Sequence, residues 1–350
     1  MKRYFILLII LNIIMVSGCE KIQAIIQGGD SKKNVIEKPY LSITRTYMDE
    51  TESMFSEYFI YDIKDKKIEK IAETPYNSQH PIGIVDLYDN KLYYSNKTGS
   101  GDQLFSYDIK TKKITQLTNN LWAINYIIPT KDHIHLVAAR LIEQDVEGES
   151  RPDIQAMYID KSTNIMGYYR KYDHHTKAQH ISYNPWNQKI YITFLNNNEN
   201  HMSRAYEAGK NPKDSTMYSP AEHIVKEFDP GLKNERDIFN ICDKAMFTFS
   251  RSKDIALIST SKYYTVGDIK YEFVNLNTKT VDETNLKVTP KGITYSCLDP
   301  YGNKMYFIGL DSEGLKNVYC YDMDNDFINI ILGPHEKYES AINNITMVGR

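Results

Sequence analysis

The sequence predicts an all-β fold: a six-bladed β-propeller of four-stranded blades over residues 39–350, closed by pairing of the C-terminal strand with the first blade. Three observations predict it. An aromatic-Asp segment followed by a Lys-rich turn recurs along the chain, most clearly as YDIKDKKIEKI at 61–71 and YDIKTKKITQL at 107–117. A second pattern interleaves with it: an alternating segment, a turn and a short apolar strand. The ends of the array are complementary, with one strand missing at the start and one to spare at the finish.

The first element precedes the repeats. Met1-Lys2-Arg3 leads into an apolar run from Tyr4 to Met15, followed by Val16-Ser17-Gly18-Cys19. A basic start, a short apolar stretch and small residues before a cysteine form the pattern of a bacterial lipoprotein signal peptide. Residues 1–18 are therefore expected to be removed. Cys19 is expected to carry diacylglycerol and palmitate, and residues 19–38 to form a lipidated N-terminus and flexible tether. A membrane-spanning helix needs about 20 apolar residues; this run is shorter and is interrupted by Asn12. The expected location is the extracytoplasmic side of the cell membrane, held there by the lipid. As a flexible coil, the tether (Gly28-Gly29-Asp30-Ser31-Lys32-Lys33 at its centre) spans on the order of 25 Å.

The blades follow. A turn-starting acid or amide falls at Asp62, Asp108, Asp160, Asp229, Asn275 and Asp322, spaced 46 to 69 residues apart. Its side chain can accept hydrogen bonds from the backbone just ahead, so turn chemistry explains these residues without catalysis. The second pattern appears as LYDNKLYYS (87–95), YNPWNQKIYITF (183–194), FSRSKDIALIS (249–259) and LDPYGNKMYFIG (298–309). Together the two patterns give four strands per unit, placed in the clearest case at 83–88 (a), 91–96 (b), 103–109 (c) and 112–117 (d). The 28 tyrosines and many isoleucines suit strands. Before the first c strand (57–63) stands only 40–47, which would be strand b; the spare strand 341–348 can supply the missing inner strand and remove two open edges.

The pattern resembles the TolB-type and WD40-like propeller repeats of exported bacterial proteins. Tyr107-Asp108 and Leu117-Thr118 match their strand end and the Leu-Thr after it. Asp299-Pro300-Tyr301-Gly302 and Asn184-Pro185-Trp186-Asn187 are degraded forms of their SPDG turn. The resemblance covers roughly residues 40–350 and implies a propeller; no copy keeps the full turn.

Function is less legible. Two long b–c connections, 141–153 and 197–221, fall in adjacent blades and should share one face. Long loops on a rigid scaffold often carry recognition. The candidate binding surface is therefore Glu143, Asp145, Glu147, Glu149 and Arg151 with His201, Arg204 and Tyr206. There is no GxSxG, HExxH or P-loop, and no catalytic residue, metal ligand or cofactor is assigned. Asp322-x-Asp324-x-Asp326 starts like a calcium loop but has Phe327 where Gly is needed and Gly333 where Glu is needed. His133 and His135 share a strand face and read as a structural pair; His174, His175 and His180 are expected to be exposed. Trp122, placed after a d strand, and Trp186, in a turn, are expected to pack between blades. Cys242, Cys297 and Cys320 read as buried thiols, with a Cys297–Cys320 bridge left open by spacing.

A formal net charge of −3 argues against a nucleic-acid partner, which would call for a basic stripe. The leading expectation is a membrane-anchored propeller acting as a non-catalytic binding scaffold for a protein or peptide. The alternative is a propeller enzyme acting on envelope carbohydrate or a small ester through carboxylates gathered in the channel. A structural spacer is a third possibility.

Overall fold

Hairpin turns set by a single side chain organise the chain into antiparallel sheets. Asp62 accepts the backbone N–H groups of Lys64 and Asp65, and Asp108 those of Lys110 and Thr111. Asp160, Asn275 and Asp322 do the same for the residues two and three ahead of them. The residue four beyond the acid or amide then turns to positive φ: Lys66 at 54°, Lys112 at 62°, Asn164 at 58°, Lys279 at 58° and Asp326 at 50°. The chain thereby reverses within four residues and the next strand begins in register. Asp229 departs from the rule. Pro230 follows it, the Gly231 N–H donates to the Tyr169 hydroxyl, and its carboxylate pairs with Lys189.

The computed structural model describes residues 38–99, 101–141, 152–170, 176–196, 222–232, 234–241, 244–249, 255–261, 269–283, 291–300 and 303–349. Within them, β1 (Tyr40–Met48), β2 (Met54–Asp62) and β3 (Lys67–Pro75) form the first sheet. The second holds β4 (Gly83–Asp86), β5 (Lys91–Thr98), β6 (Gly101–Asp108) and β7 (Ile114–Gln116). The third holds β8 (Leu121–Pro129), β9 (His133–Leu141), β10 (Pro152–Asp160) and β11 (Met166–Tyr168). The fourth holds β12 (Thr176–Asn184), β13 (Lys189–Asn196), β14 (His223–Phe228) and β15 (Glu235–Ile241). The fifth holds β16 (Lys244–Phe249), β17 (Ile255–Ser261), β18 (Ile269–Asn275) and β19 (Val281–Glu283). The sixth holds β20 (Lys291–Leu298), β21 (Lys304–Leu310), β22 (Lys316–Asp322) and β23 (Phe327–Leu332). The last strand, β24 (Ser340–Val348), returns to the first sheet, which then reads β24-β1-β2-β3.

Each sheet contacts the next in chain order, and β20 of the sixth meets β24 of the first. All ladders are antiparallel and no helix occurs among the described residues, so the fold is a β-propeller of four-stranded blades. The core is distributed between the blades. Val85 and Tyr94 meet Tyr58 across the first seam, and Ile84 and Leu104 meet Ile124 and Leu136 across the next. Val137 and Tyr169 pack with Ile181 and Phe228, Val225 with Ala256, Leu257 with Phe307, and Tyr306 with Leu41 and Ile43. Each sheet thus buries both its faces against neighbours, which is why central strands such as KIYITFLN read as nearly continuous apolar runs rather than alternating ones.

The strand expected at 341–348 is β24. It runs beside β1 from Tyr40↔Val348 to Tyr47↔Ser340, with one irregularity at Thr44/Arg45. It occupies the inner place that the chain start leaves empty and covers the ladder edge of β1. Trp122 follows the d strand β7, as expected, and lies inside β8, an inner strand. Cys297 and Cys320 pair with opposite sides of Tyr306, so a full strand separates them. With strands about 4.8 Å apart, their Cα atoms lie beyond disulfide reach, and both are free buried thiols.

Candidate functional site

Four of the inner strands, β8, β12, β20 and β24, line a cavity. Its lining includes Tyr126 from β8, His180 and Ser182 from β12, Tyr295 from β20 and Asn344 from β24. His180 and Ser182 stand two apart on one strand and so share the inward face. Pro129, Pro185, Pro300 and Gly349 stand at or just past the ends of the inner strands and form one mouth of the cavity. About 100 Å³ is open to water inside it.

The geometry is aromatic and neutral. The Tyr126 ring lies 5.0 Å from His180 at 85° and 6.3 Å from Tyr295 at 66°, both edge-to-face. Ser182 Oγ is 3.4 Å from His180 Nδ1. Burial pushes the phenol of Tyr126 above its ordinary range, and the neighbouring Tyr295 adds to the shift; burial alone raises Tyr295. Both hydroxyls stay protonated and can donate or accept a hydrogen bond. Among the described lining residues none is Asp or Glu. Such a lining can grip an apolar or amide-bearing group.

His180 corrects an expectation: it is 7% exposed and faces the channel. Sequence reasoning also missed Tyr126, Tyr295 and Asn344. Their only common signal is that each lies a few residues before the end of an inner strand.

Two buried carboxylates stand at inner strand ends: Asp299, 6% exposed, between the lining residues Leu298 and Pro300, and Asp86, which is engaged elsewhere. Asp86, fully buried at the end of β4, lies 3.1 Å from Lys161 Nζ, which also pairs with Asp89 and donates to Thr130 O at 2.5 Å. Thr130 leads into a second buried network. The Gly231 N–H donates to the Tyr169 hydroxyl, which lies 2.7 Å from His135 Nδ1. Thr130 Oγ1 is 3.0 Å from His135 Nε2 and donates to His133 O at 3.2 Å. These roles are satisfied together when Nδ1 accepts and Nε2–H donates, so His135 is neutral. Burial depresses its pKa well below the ordinary value, with His133 and Lys161 adding to the effect. The His133 ring lies 5.7 Å from that of His135, tilted by 36°, and meets Tyr158 edge-on at 5.4 Å, making the pair part of the packing.

The other sequence candidates lie outside the described residues: Cys19, Glu143, Asp145, Glu147, Glu149, Arg151, His201, Arg204, Tyr206, His174 and His175. The two long connections that carry most of them leave β9 and β13, in neighbouring sheets. Asp322, Asp324 and Asp326 form a hairpin turn, with Asp324 held by Asn303 and Asp326 by Tyr321.

No protein-family model matches the chain, and no curated protein matches it by sequence. Solved structures do. TolB from Acinetobacter baumannii superimposes with a TM-score of 0.52 at 14% identity, over 86% of this chain and 66% of that one, so this chain spans just under two thirds of it. A chain in the crystal structure of a nidogen/laminin complex gives a TM-score of 0.53 at 12% identity, over 88% of this chain and 98% of that one. The likeness is one of fold: a TolB-like β-propeller.

Proposed function

We propose that this protein is a lipid-anchored, extracytoplasmic propeller of six blades that binds a protein or peptide partner without catalysis. The six sheets are read as six blades of one closed ring, each seam filled by its own apolar cluster. The observation that carries the binding role is the channel lining, in which Tyr126, His180, Tyr295 and Asn344 offer aromatic edges and uncharged hydrogen-bonding groups. A peptide chain presents matching chemistry: amide groups and apolar side chains. The long connections at 142–151 and 197–221 would extend the contact surface. The anchor rests on the sequence, through the segment ending at Cys19.

Two experiments test the two halves. A photo-crosslinking phenylalanine analogue in place of Tyr126, in the full-length protein in its own envelope, should give a discrete protein adduct; its absence, or turnover of an envelope carbohydrate or ester, overturns the binding role. Cys19→Ser should move the protein from the membrane to the soluble fraction of an envelope preparation washed in high salt, which screens charge attraction to lipid but does not release an acyl anchor. Retention of the variant in the membrane overturns the anchor.

A further inference from the structure

The described chain enters the propeller at one face. Tyr40 opens β1 opposite Asp62, the first residue of a hairpin turn, and opposite Val348. Its hydroxyl donates to Val85 O at 2.9 Å and accepts from the Leu87 N–H at 2.8 Å, tying the entry point to the neighbouring blade. Leu87 lies in the turn between β4 and β5. That turn meets the turn between β6 and β7 through Ile109 N donating to Asn90 O at 3.0 Å. The turns at 62–67, 87–90 and 108–113 are therefore grouped around the point where residues 19–38 join the ring.

This group is basic and partly apolar. The three turns carry six lysines against four aspartates, one of which, Asp89, pairs with Lys161. Lys64, Lys66, Lys67, Lys110, Lys112 and Lys113 are all exposed. Two of the aspartates, Asp62 and Asp108, are turned back onto the backbone N–H groups of their own turns. Between the lysines stand Leu87, Ile68 and Ile114, large apolar side chains 41%, 40% and 53% exposed. The equivalent turn of the sixth sheet, on the other side of the entry point, holds Asp322, Asp324 and Asp326 and no lysine, so the basic patch covers the turns of the first and second sheets. A chain with three more acids than bases has concentrated lysine where its tether joins the blades.

We infer that this face docks on an anionic lipid surface. Lysines attract acidic headgroups, at roughly 1 kcal/mol or about five-fold in affinity for each one close to the surface. Exposed Leu and Ile at the same level can enter the headgroup boundary, as they do in interfacial segments. The tether, on the order of 25 Å when flexible, is long enough to let the face settle while Cys19 stays in the bilayer. The opposite face, with the connections at 142–151 and 197–221, would then point away from the membrane, so that a partner reaches the channel from that end and not through the mouth at Pro129, Pro185, Pro300 and Gly349. This inference rests on the lipid anchor proposed above.

Amine-reactive footprinting of the intact envelope, compared with the detergent-solubilised protein, tests it. Lys64, Lys66, Lys110, Lys112 and Lys113 should be protected several-fold in the membrane and become reactive in detergent. Lys97 and Lys337, exposed at the other ends of the strands, should react equally in both. Equal labelling of both sets in a protein that stays in the membrane fraction overturns the docking and leaves the anchor standing. A protein found in the soluble fraction overturns both. A second arm separates lipid charge from mere proximity. The full chain carrying Cys19→Ser should sediment with vesicles of phosphatidylglycerol and phosphatidylcholine, and not with phosphatidylcholine alone. Adding Lys110→Glu, Lys112→Glu and Lys113→Glu should lower that binding at least a hundred-fold. Indifference to the lipid or to the substitutions contradicts the inference.

Discussion

The seam that closes the ring and the seams around the third sheet are built differently. Where β24 and β1 meet the sixth sheet, Leu41, Ile43, Ile342 and Ile345 pack on Tyr306 and Ile308. Arg45 crosses it, donating to Gly333 O at 3.1 Å and pairing with Glu57 at 2.7 Å. Burial would raise the Glu57 carboxyl, but hydrogen bonds from Lys70 and Arg45 bring it below its ordinary range, so it stays ionised near neutrality. Around the third sheet, by contrast, Lys161 bridges to Asp86 and Asp89, and His135 connects Thr130 to Tyr169 and so to Gly231 of the fourth sheet. The closing seam should therefore be strong and indifferent to pH, and the His135 seam should answer to protons.

The largest effect expected is at the closing seam. Deleting residues 340–350 removes β24 and with it the buried Ile342, Ile345 and Val348. Each such loss costs about 2–5 kcal/mol, and together they rival the ~5–15 kcal/mol that a folded protein has in total. Thermal unfolding followed by circular dichroism should show no cooperative transition; wild-type melting would mean that β24 does not seal the ring. Next comes Ile345→Ala, expected to cost about 2–5 kcal/mol by the same amount at pH 5.5 and pH 7.5. A strong pH dependence of that cost would erase the distinction between the seams.

The His135 seam comes third. His135 is held neutral in the fold, while the unfolded chain protonates near the ordinary value of about 6.5. Its contribution is present above that pH and is lost as pH falls through it, because the unfolded state binds the extra proton. His135→Phe should cost about 1–3 kcal/mol at pH 7.5, where the Tyr169 hydroxyl loses its acceptor. It should also flatten the fall in denaturant midpoint between pH 6.5 and 5. An unchanged slope would show that His135 is not the titrating group. The smallest effect belongs to the turns: Lys112→Gly relieves a positive φ of 62° and should raise stability by up to about 1 kcal/mol. A loss instead would mean that Lys112 over the Tyr107 ring, at 5.5 Å, outweighs the backbone.

The turns were legible because their physics is local. Asp62, Asp108, Asp160, Asn275 and Asp322 act on N–H groups two and three residues away, so composition at fixed offsets exposes them. The partnership of β24 with β1 was legible for another reason: a strand count with one vacancy and one surplus has a single economical solution. Asp229 shows the limit, since its side chain answers to Lys189, which is 40 residues away. The channel was hidden for the same reason. Tyr126, His180, Tyr295 and Asn344 sit in ordinary strand sequence and become a site only when four blades converge. His180 in particular looked like a turn-proximal surface residue, and only the blade register turns it inward. The lysines near Tyr40 belong to the same class: each turn alone is commonplace, and the patch exists because two blades place their turns beside the chain entry.

The most direct test of a lipid-leashed propeller is the mass of its N-terminal peptide, taken from protein isolated from the cell membrane. The expected peptide begins at Cys19 and carries a diacylglycerol-linked sulfur. A peptide that retains residues 1–18, or one that begins at or beyond residue 19 without an acyl group, would contradict it.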